Sequence, residues 1–233
     1  MARVRQAAQA CSRSTRKSAM DELRRQLIIT AQRMDAAGLN KGTAGNVSVR
    51  AGQGRAGGFL ITPTGMPYET LVNEDMVFMH LDGRCEGRRK PSSEWRFHRD
   101  LYAARADAGA IVHAHSPFAT SLACLRLDVP AFHYMIARFG GATVRCAGYA
   151  TFGTQALSDA VLLAMAQRRA CLLANHGMLV LGDDLAQALA LGVELEALCE
   201  QYWRACQLGP PVLLDALEMA TVLAKFADYG QQG

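Results

Sequence analysis

Two imidazoles one residue apart, His113 and His115, close the apolar run Ala110-Ile111-Val112-His113-Ala114-His115-Ser116-Pro117. Successive side chains of a strand point to opposite faces, so these two share a face, about 7 Å apart along the strand, where both can reach one metal ion. Alone, an H-x-H pair reads first as one core histidine and one at the strand's mouth. A second apolar run, Ala170-Cys171-Leu172-Leu173-Ala174-Asn175-His176-Gly177, also ends in a histidine, with a glycine just beyond. Three histidines at the ends of apolar strands match an open three-histidine zinc site, which keeps one coordination position for substrate or water.

Glu94 is the carboxylate of interest. It is either a first-turn residue favoured by the helix dipole or, beside a metal, a ligand or general base. His98, four residues on, shares its helical face and is the rival for a metal role; His80 and His133 read as structural. Two loops offer anion-binding groups. Gly42 to Ser48 carries free backbone amides, an asparagine and hydroxyls, and Thr62 to Gly65 carries two more hydroxyls and a further amide. With a helix N-terminus at Ser92-Ser93 they make an anion cradle without a Walker lysine.

The elements that must position these groups alternate between helical and extended patterns. Leu23, Leu27, Ile28 and Met34 lie at helical spacing from Met20 to Ala37, ended by Gly38. Strands follow at 46–50, 59–62 and 76–81, with a glycine-rich turn over 52–58. A helix is expected from Ser92-Ser93 to Arg105, with serine as its cap, and another from Pro117 to about Leu125. Helices are further expected at Gln155–Arg169, Asp184–Leu208 and Asp215–Tyr229, with two strands at 170–181 broken at His176-Gly177. The close spacing of the strands at 46–81 predicts hairpins, and hence a mixed or antiparallel sheet within an α/β fold.

Composition narrows the function classes. A chain of 233 residues with 50% hydrophobic content can build one large core. The net charge of +4 is concentrated at the start, where Arg3, Arg5, Arg13, Arg16 and Lys17 meet no acid within 18 residues; 20 basic and 21 acidic residues remain. No broad nucleic-acid-binding face is therefore expected, and residues 1–18 read as a basic, disordered leader. Seven scattered cysteines without a C-x-x-C argue against a disulfide framework or thiolate zinc site and fit a reducing cytoplasm. No apolar run approaches the roughly 18 residues of a membrane span.

The segments G-T-A-G-N-V-S-V-R, L-I-T-P-T-G-M-P-Y-E, P-S-S-E-W-R-F-H, the H-A-H pair, H-Y-M-I-A, Y-A-T-F-G-T and N-H-G occur in this order from about residue 20 to Gly230. Together they resemble the bacterial class II aldolase family, most nearly its members acting on L-fuculose 1-phosphate. The resemblance implies one three-layer α/β domain over 19–233, with a largely antiparallel central sheet between helical layers. It also implies a homotetramer with active sites at subunit interfaces. It assigns His113, His115 and His176 to Zn2+, with Mn2+ or Co2+ as alternatives, and Glu94 to a metal-adjacent acid/base role. Thr43, Gly45, Asn46, Thr64, Gly65, Ser92 and Ser93 would hold phosphate. Tyr134 would be an acid from a neighbouring subunit, and Phe152, Phe226 and Tyr229 would line the aldehyde end. The leader and the 52–57 loop are longer than the family pattern.

The implied reaction is cleavage of a ketose 1-phosphate, L-fuculose 1-phosphate or a related 5-deoxy sugar phosphate, to dihydroxyacetone phosphate and an aldehyde. Alternatives on the same fold are aldolases of 5-deoxyribulose or 5-methylthioribulose 1-phosphate, and sugar-phosphate epimerases, dehydratases and decarboxylases. Non-catalytic relatives would lack the histidines or the acid, and all are present here. A purely structural zinc is disfavoured, because such sites show four protein ligands and often thiolates.

Overall fold

The strand Ala110–Ala114 (β5) is buried at every position and lies in the middle of an eight-stranded sheet. The computed structural model describes residues 2–52 and 57–227. Around β5 the strands are β1 (Asn46–Ala51), β2 (Gly58–Ile61), β3 (Val77–His80), β4 (Cys85–Glu86), β6 (Arg145–Ala147), β7 (Ala170–Leu173) and β8 (Gly177–Gly182). Their spatial order is β4-β3-β2-β1-β5-β8-β7-β6. Every pairing is antiparallel except β6 with β7. The hairpins β1–β2 and β7–β8 stand where the turn signals predict them.

Alternation along the strands divides the core into two layers. Val47, Val49, Leu60, Val112, Leu172 and Val180 pack with the helices α1 (Ala2–Ala36), α3 (Pro117–Cys124) and α5 (Leu185–Leu208). Phe59, Ile61, Ile111, Leu173, Leu179 and Leu181 pack with α2 (Trp95–Ala104) and α4 (Gln155–Ala164). The result is a sheet between two helical layers in one α/β domain. His113, two residues from Ile111, faces the α2 side, where its ring meets Phe97 edge-on at 5.5 Å. A last helix, α6 (Ala216–Ala227), follows α5.

Several boundaries differ from those read in the sequence. Helix α1 extends back through the basic leader rather than starting at Met20; that stretch is rich in alanine, arginine and glutamine, which favour helix. The C-terminal end agrees, with Gly38 at φ 75° and the Leu39 amide bonded to the Met34 carbonyl. Helix α2 starts at Trp95 with Glu94 at its N-cap and no side-chain capping bond, so serine does not cap it. Ser92 Oγ instead accepts from the Glu94 amide at 3.3 Å. Helix α4 stops at Ala164, because residues 165–169, with Gln167 at φ 57°, must reverse the chain before β7. Helix α5 is capped by Asp184, whose side chain accepts from the Gln187 amide. No helix among the described residues is long and apolar enough to cross a membrane.

Candidate active site

Strand pairing alone brings distant residues to one place. Asn46 of β1 stands opposite His113 of β5, and Ala114 stands opposite Met178 of β8, just past His176. Glu94 arrives from the start of α2 on the same side of the sheet. The three imidazoles pack edge to face, with ring centroids 4.8 to 4.9 Å apart and planes at 75°. Glu94 Oε2 lies 3.0 Å from His113 Nε2, and Glu94 Oε1 lies 3.1 Å from His176 Nε2. His113 Nε2 is 3.1 Å from His115 Nε2. One ligand atom from each of Glu94, His113, His115 and His176 falls within 4.8 Å of the others.

The donor set fits a divalent cation. His113 Nδ1–H donates to the Met178 carbonyl at 2.9 Å, which turns its Nε2 lone pair into the cluster. Glu94 Oε1 is buried and has no hydrogen-bond partner; the His176 contact lacks hydrogen-bonding geometry. Buried lone pairs converging without donors are costly unless a cation satisfies them. Burial pushes the Glu94 carboxyl up, but the adjacent His113 and His176 imidazoles outweigh it and hold the group well below the carboxylate range. His115 is lowered to about 4, by burial first and then by His113 and His176. Both shifts favour the forms that ligate metal.

Above the cluster opens a cleft of about 310 Å³, within the range of small-molecule sites. Thr43, Gly45, Thr64, Gly65, Ser92 and Ser93 line one part of it; Tyr149, Phe152, Asn175 and His176 line another. Gly45, at φ 78°, is required twice over, since a Cβ there would stand 2.7 Å from the His113 carbonyl. Gly177 is equally constrained: a Cβ would fall 2.5 Å from the Ala114 carbonyl and 2.9 Å from the His115 ring.

Not every residue singled out in the sequence faces this cleft with its side chain. Asn46 lines it, yet its side chain is buried and turned inward, with Nδ2 donating to Ser92 Oγ at 2.9 Å and to Glu94 Oε2 at 3.2 Å. His98 is not in the cluster; its ring lies among Asn46, Ser48, Phe59 and Phe97. Tyr134 and Phe226 stack at 6.4 Å and line a separate surface groove with Met135, Val222 and Lys225. The cause is the 3-10 segment Tyr134–Phe139, which buries Ile136, Ala137 and Phe139 in the core layer of α1 and α5, away from Phe97. Tyr229 lies outside the described residues. His80 pairs with Glu86, and His133 Nδ1 accepts from the Met135 amide, both away from the cluster.

Three supporting residues escaped the sequence reading. Asn40 Oδ1 accepts from the His115 amide at 2.9 Å. Glu196 of α5 accepts from Ser116 Oγ and from the amides of Phe118 and Ala119 at 2.6 to 2.9 Å, closing the N-terminus of α3 directly after His115. Asn175 holds φ 55° and accepts from Arg126 Nε at 2.8 Å, next to His176. The available signal was the absence of any acid in the first turn of α3, which leaves its amides to a partner elsewhere.

Comparison with known proteins agrees with this geometry. The family described as class II aldolase and adducin N-terminal domain matches residues 25–203. The chain is 54% identical over 208 residues to the 5-methylthioribulose-1-phosphate/5-deoxyribulose-1-phosphate aldolase of Rhodospirillum rubrum, spanning 89% of this chain and 92% of that protein. It is 46% identical over 211 residues to the L-fuculose phosphate aldolase of Escherichia coli, spanning 90% and 96%. A solved L-fuculose 1-phosphate aldolase superposes with a TM-score of 0.85 at 41% identity, over 88% of this chain and 96% of the other.

Proposed function

The chain belongs to the class II aldolase family, whose members depend on a metal ion, and from that premise we propose that it cleaves a ketose 1-phosphate to dihydroxyacetone phosphate and a small aldehyde. The observation that carries this reading is Glu94, set between His113 and His176 with one oxygen unpaired, against a cleft whose opposite loops offer hydroxyls and amides. We assign Zn2+ to His113, His115 and His176, with Glu94 beside it, on the strength of three imidazoles, a carboxylate and no thiolate. Such an ion, when bound, supplies positive charge where negative charge develops on the carbonyl side of a breaking carbon–carbon bond.

The chain's own groups do the rest. The phosphate is held by Thr43, Gly45, Thr64, Gly65, Ser92 and Ser93, with Ser92 Oγ already accepting two N–H donors and so left with its own proton to give. As the C3–C4 bond breaks, the Glu94 carboxylate takes the proton of the C4 hydroxyl, which becomes the aldehyde, and the electron pair remains at C3. Glu94 returns a proton to C3, completing dihydroxyacetone phosphate. No Schiff-base lysine is involved. Phe152 and Tyr149, both well exposed at the cleft, favour a short apolar tail on the sugar.

Tyr134 acts as an acid in a neighbouring subunit's cleft, with Phe226 beside it, in a homotetramer. The reading is supported by their joint position in a groove outside this chain's own cleft. Cys85, Cys124, Cys146, Cys171, Cys199 and Cys206 are free, in keeping with a cytoplasmic enzyme. Residues 19–233 form the catalytic domain, and 1–18 stand outside it.

The deciding experiment is a coupled assay for dihydroxyacetone phosphate with zinc-loaded protein and L-fuculose, 5-deoxyribulose and 5-methylthioribulose 1-phosphates offered in parallel. Release that a chelator abolishes is expected. The high identity to the Rhodospirillum rubrum aldolase favours the two pentulose phosphates over L-fuculose 1-phosphate. No release from any of the three would turn the reading to epimerase, dehydratase or decarboxylase chemistry.

A further inference from the structure

Beneath the histidine cluster a line of polar side chains runs away from the cleft into the core. Asn46 Nδ2 donates to Glu94 Oε2 and to Ser92 Oγ, so its amide oxygen faces the other way and accepts from His98 Nε2 at 2.5 Å. His98 then carries its proton on Nε2, and its bare Nδ1 accepts from Ser48 Oγ at 2.7 Å. Ser48 Oγ in turn accepts from the Tyr102 hydroxyl at 2.9 Å. Asn46, Ser48, His98 and Tyr102 are each no more than 2% exposed, and Phe97 and Phe59 flank the His98 ring.

The direction of this line is determined at both ends. Turning the Asn46 amide over would set its oxygen against the Glu94 carboxylate oxygen, losing the bond donated there in a buried site. Tyr102, burial of which raises its phenol above the ordinary range, keeps its proton to give. His98 is lowered to about 3, by burial first and then by the His113 charge, so the ring stays neutral and serves as donor on one side and acceptor on the other. The two Glu94 oxygens consequently differ. Oε2 is tethered by Asn46, whereas Oε1 has no hydrogen bond.

We propose that His98, Ser48 and Tyr102 are positioning residues for Glu94: acting through Asn46, they fix which face of the amide meets the carboxylate, tether Oε2, and leave Oε1 as the oxygen that moves the proton. This rests on the assignment of Glu94 as the proton carrier of the aldol cleavage. The line makes no contact with the cleft beyond Asn46, so its influence passes through one amide group.

Two measurements test it. Nitrogen NMR of the metal-loaded protein labelled at histidine, with His98→Gln to identify the signal, reports the tautomer directly. Protonated Nε2 with bare Nδ1 at neutral pH is expected; the opposite tautomer or an imidazolium overturns the proposal. In the coupled assay, Tyr102→Phe and Ser48→Ala are expected to keep full metal content and an unchanged KM while kcat falls about tenfold, the lower end of outer-shell effects at metal sites. His98→Gln supplies an amide N–H to Asn46 and an oxygen to Ser48, and is expected to recover most of the turnover that His98→Phe loses. Unchanged kcat in Tyr102→Phe and Ser48→Ala also overturns the proposal. Wild-type protein without aldolase turnover counts against the functional assignment instead, and the tautomer is read whatever the activity.

Discussion

Asn40 Oδ1 accepts the backbone N–H of His115 at 2.9 Å, and the same side chain lies directly under Gly45 of the 43–46 loop. One buried amide thus joins the strand end that carries His115, assigned here to the metal, to the loop assigned to phosphate. Asn40→Ala leaves the His115 amide without its partner and opens space beneath Gly45. Metal affinity is expected to fall about 10-fold or more, as for other residues that orient ligands, and KM for the sugar phosphate to rise with it. Competition with a chelator and steady-state kinetics measure the two together. A change in stability alone, with both affinities intact, would remove Asn40 from the site.

Glu94 and His113 touch each other but have different assignments, so their variants should separate. Glu94→Gln keeps three imidazoles and an oxygen donor. It is expected to retain metal while losing about 100-fold or more in kcat, the scale of a lost general acid/base. His113→Ala removes a ligand held by the Met178 carbonyl, and metal content should fall with activity. Elemental analysis beside the coupled assay checks both; Glu94→Gln at wild-type rate, or stoichiometric zinc in His113→Ala, sinks the corresponding assignment.

His98 sets an acid limit on stability. Its folded pKa is lowered to about 3, whereas an unfolded histidine titrates near 6.5. Between those values the unfolded chain binds a proton that the folded chain refuses. The stabilisation is therefore complete above about pH 6.5 and is lost as pH falls towards 3. Urea midpoints measured from pH 7 to 4 should fall more steeply for wild type than for His98→Gln, which has no titrating group there. Parallel slopes would show that His98 is not held neutral.

Tyr134 and Phe226 stack outside this chain's cleft. With Tyr134 serving a neighbouring subunit, Tyr134→Phe and Glu94→Gln damage different halves of a shared site. Each variant alone should be nearly inactive, and unfolding and refolding the two together should restore activity in those sites that combine one intact half from each. Mixed protein no better than the average of its parents would place both residues in the same subunit's chemistry or remove Tyr134 from it. Light scattering on wild type checks the tetramer independently.

Much of the centre is legible in the sequence. The period-two alternation that buries Ile111 also sends His113 to the α2 side, and Gly177 marks the point where β7 turns into β8 beside His176. The wrong helix starts and stops have local causes. Ser92, a good cap by type, is drawn off by Asn46 and Glu94, and residues 165–169 bend to meet a strand that only the sheet order requires.

Residue type and short-range periodicity by themselves determined which strands carry histidine, that hairpins make the sheet mixed or antiparallel, and that a carboxylate and hydroxyl-bearing loops are available beside the histidines. These are properties of neighbours within a few positions, where backbone geometry leaves little choice. Only the tertiary structure decided that the Asn46 side chain faces Glu94 rather than the cleft, that His98 is a buried neutral partner and not a ligand, and that Tyr134 stands in a groove of its own. The reason is that hydrogen-bond partners 46 to 54 positions apart are chosen by strand register and helix docking, and a polar side chain can satisfy itself in either direction until those are set.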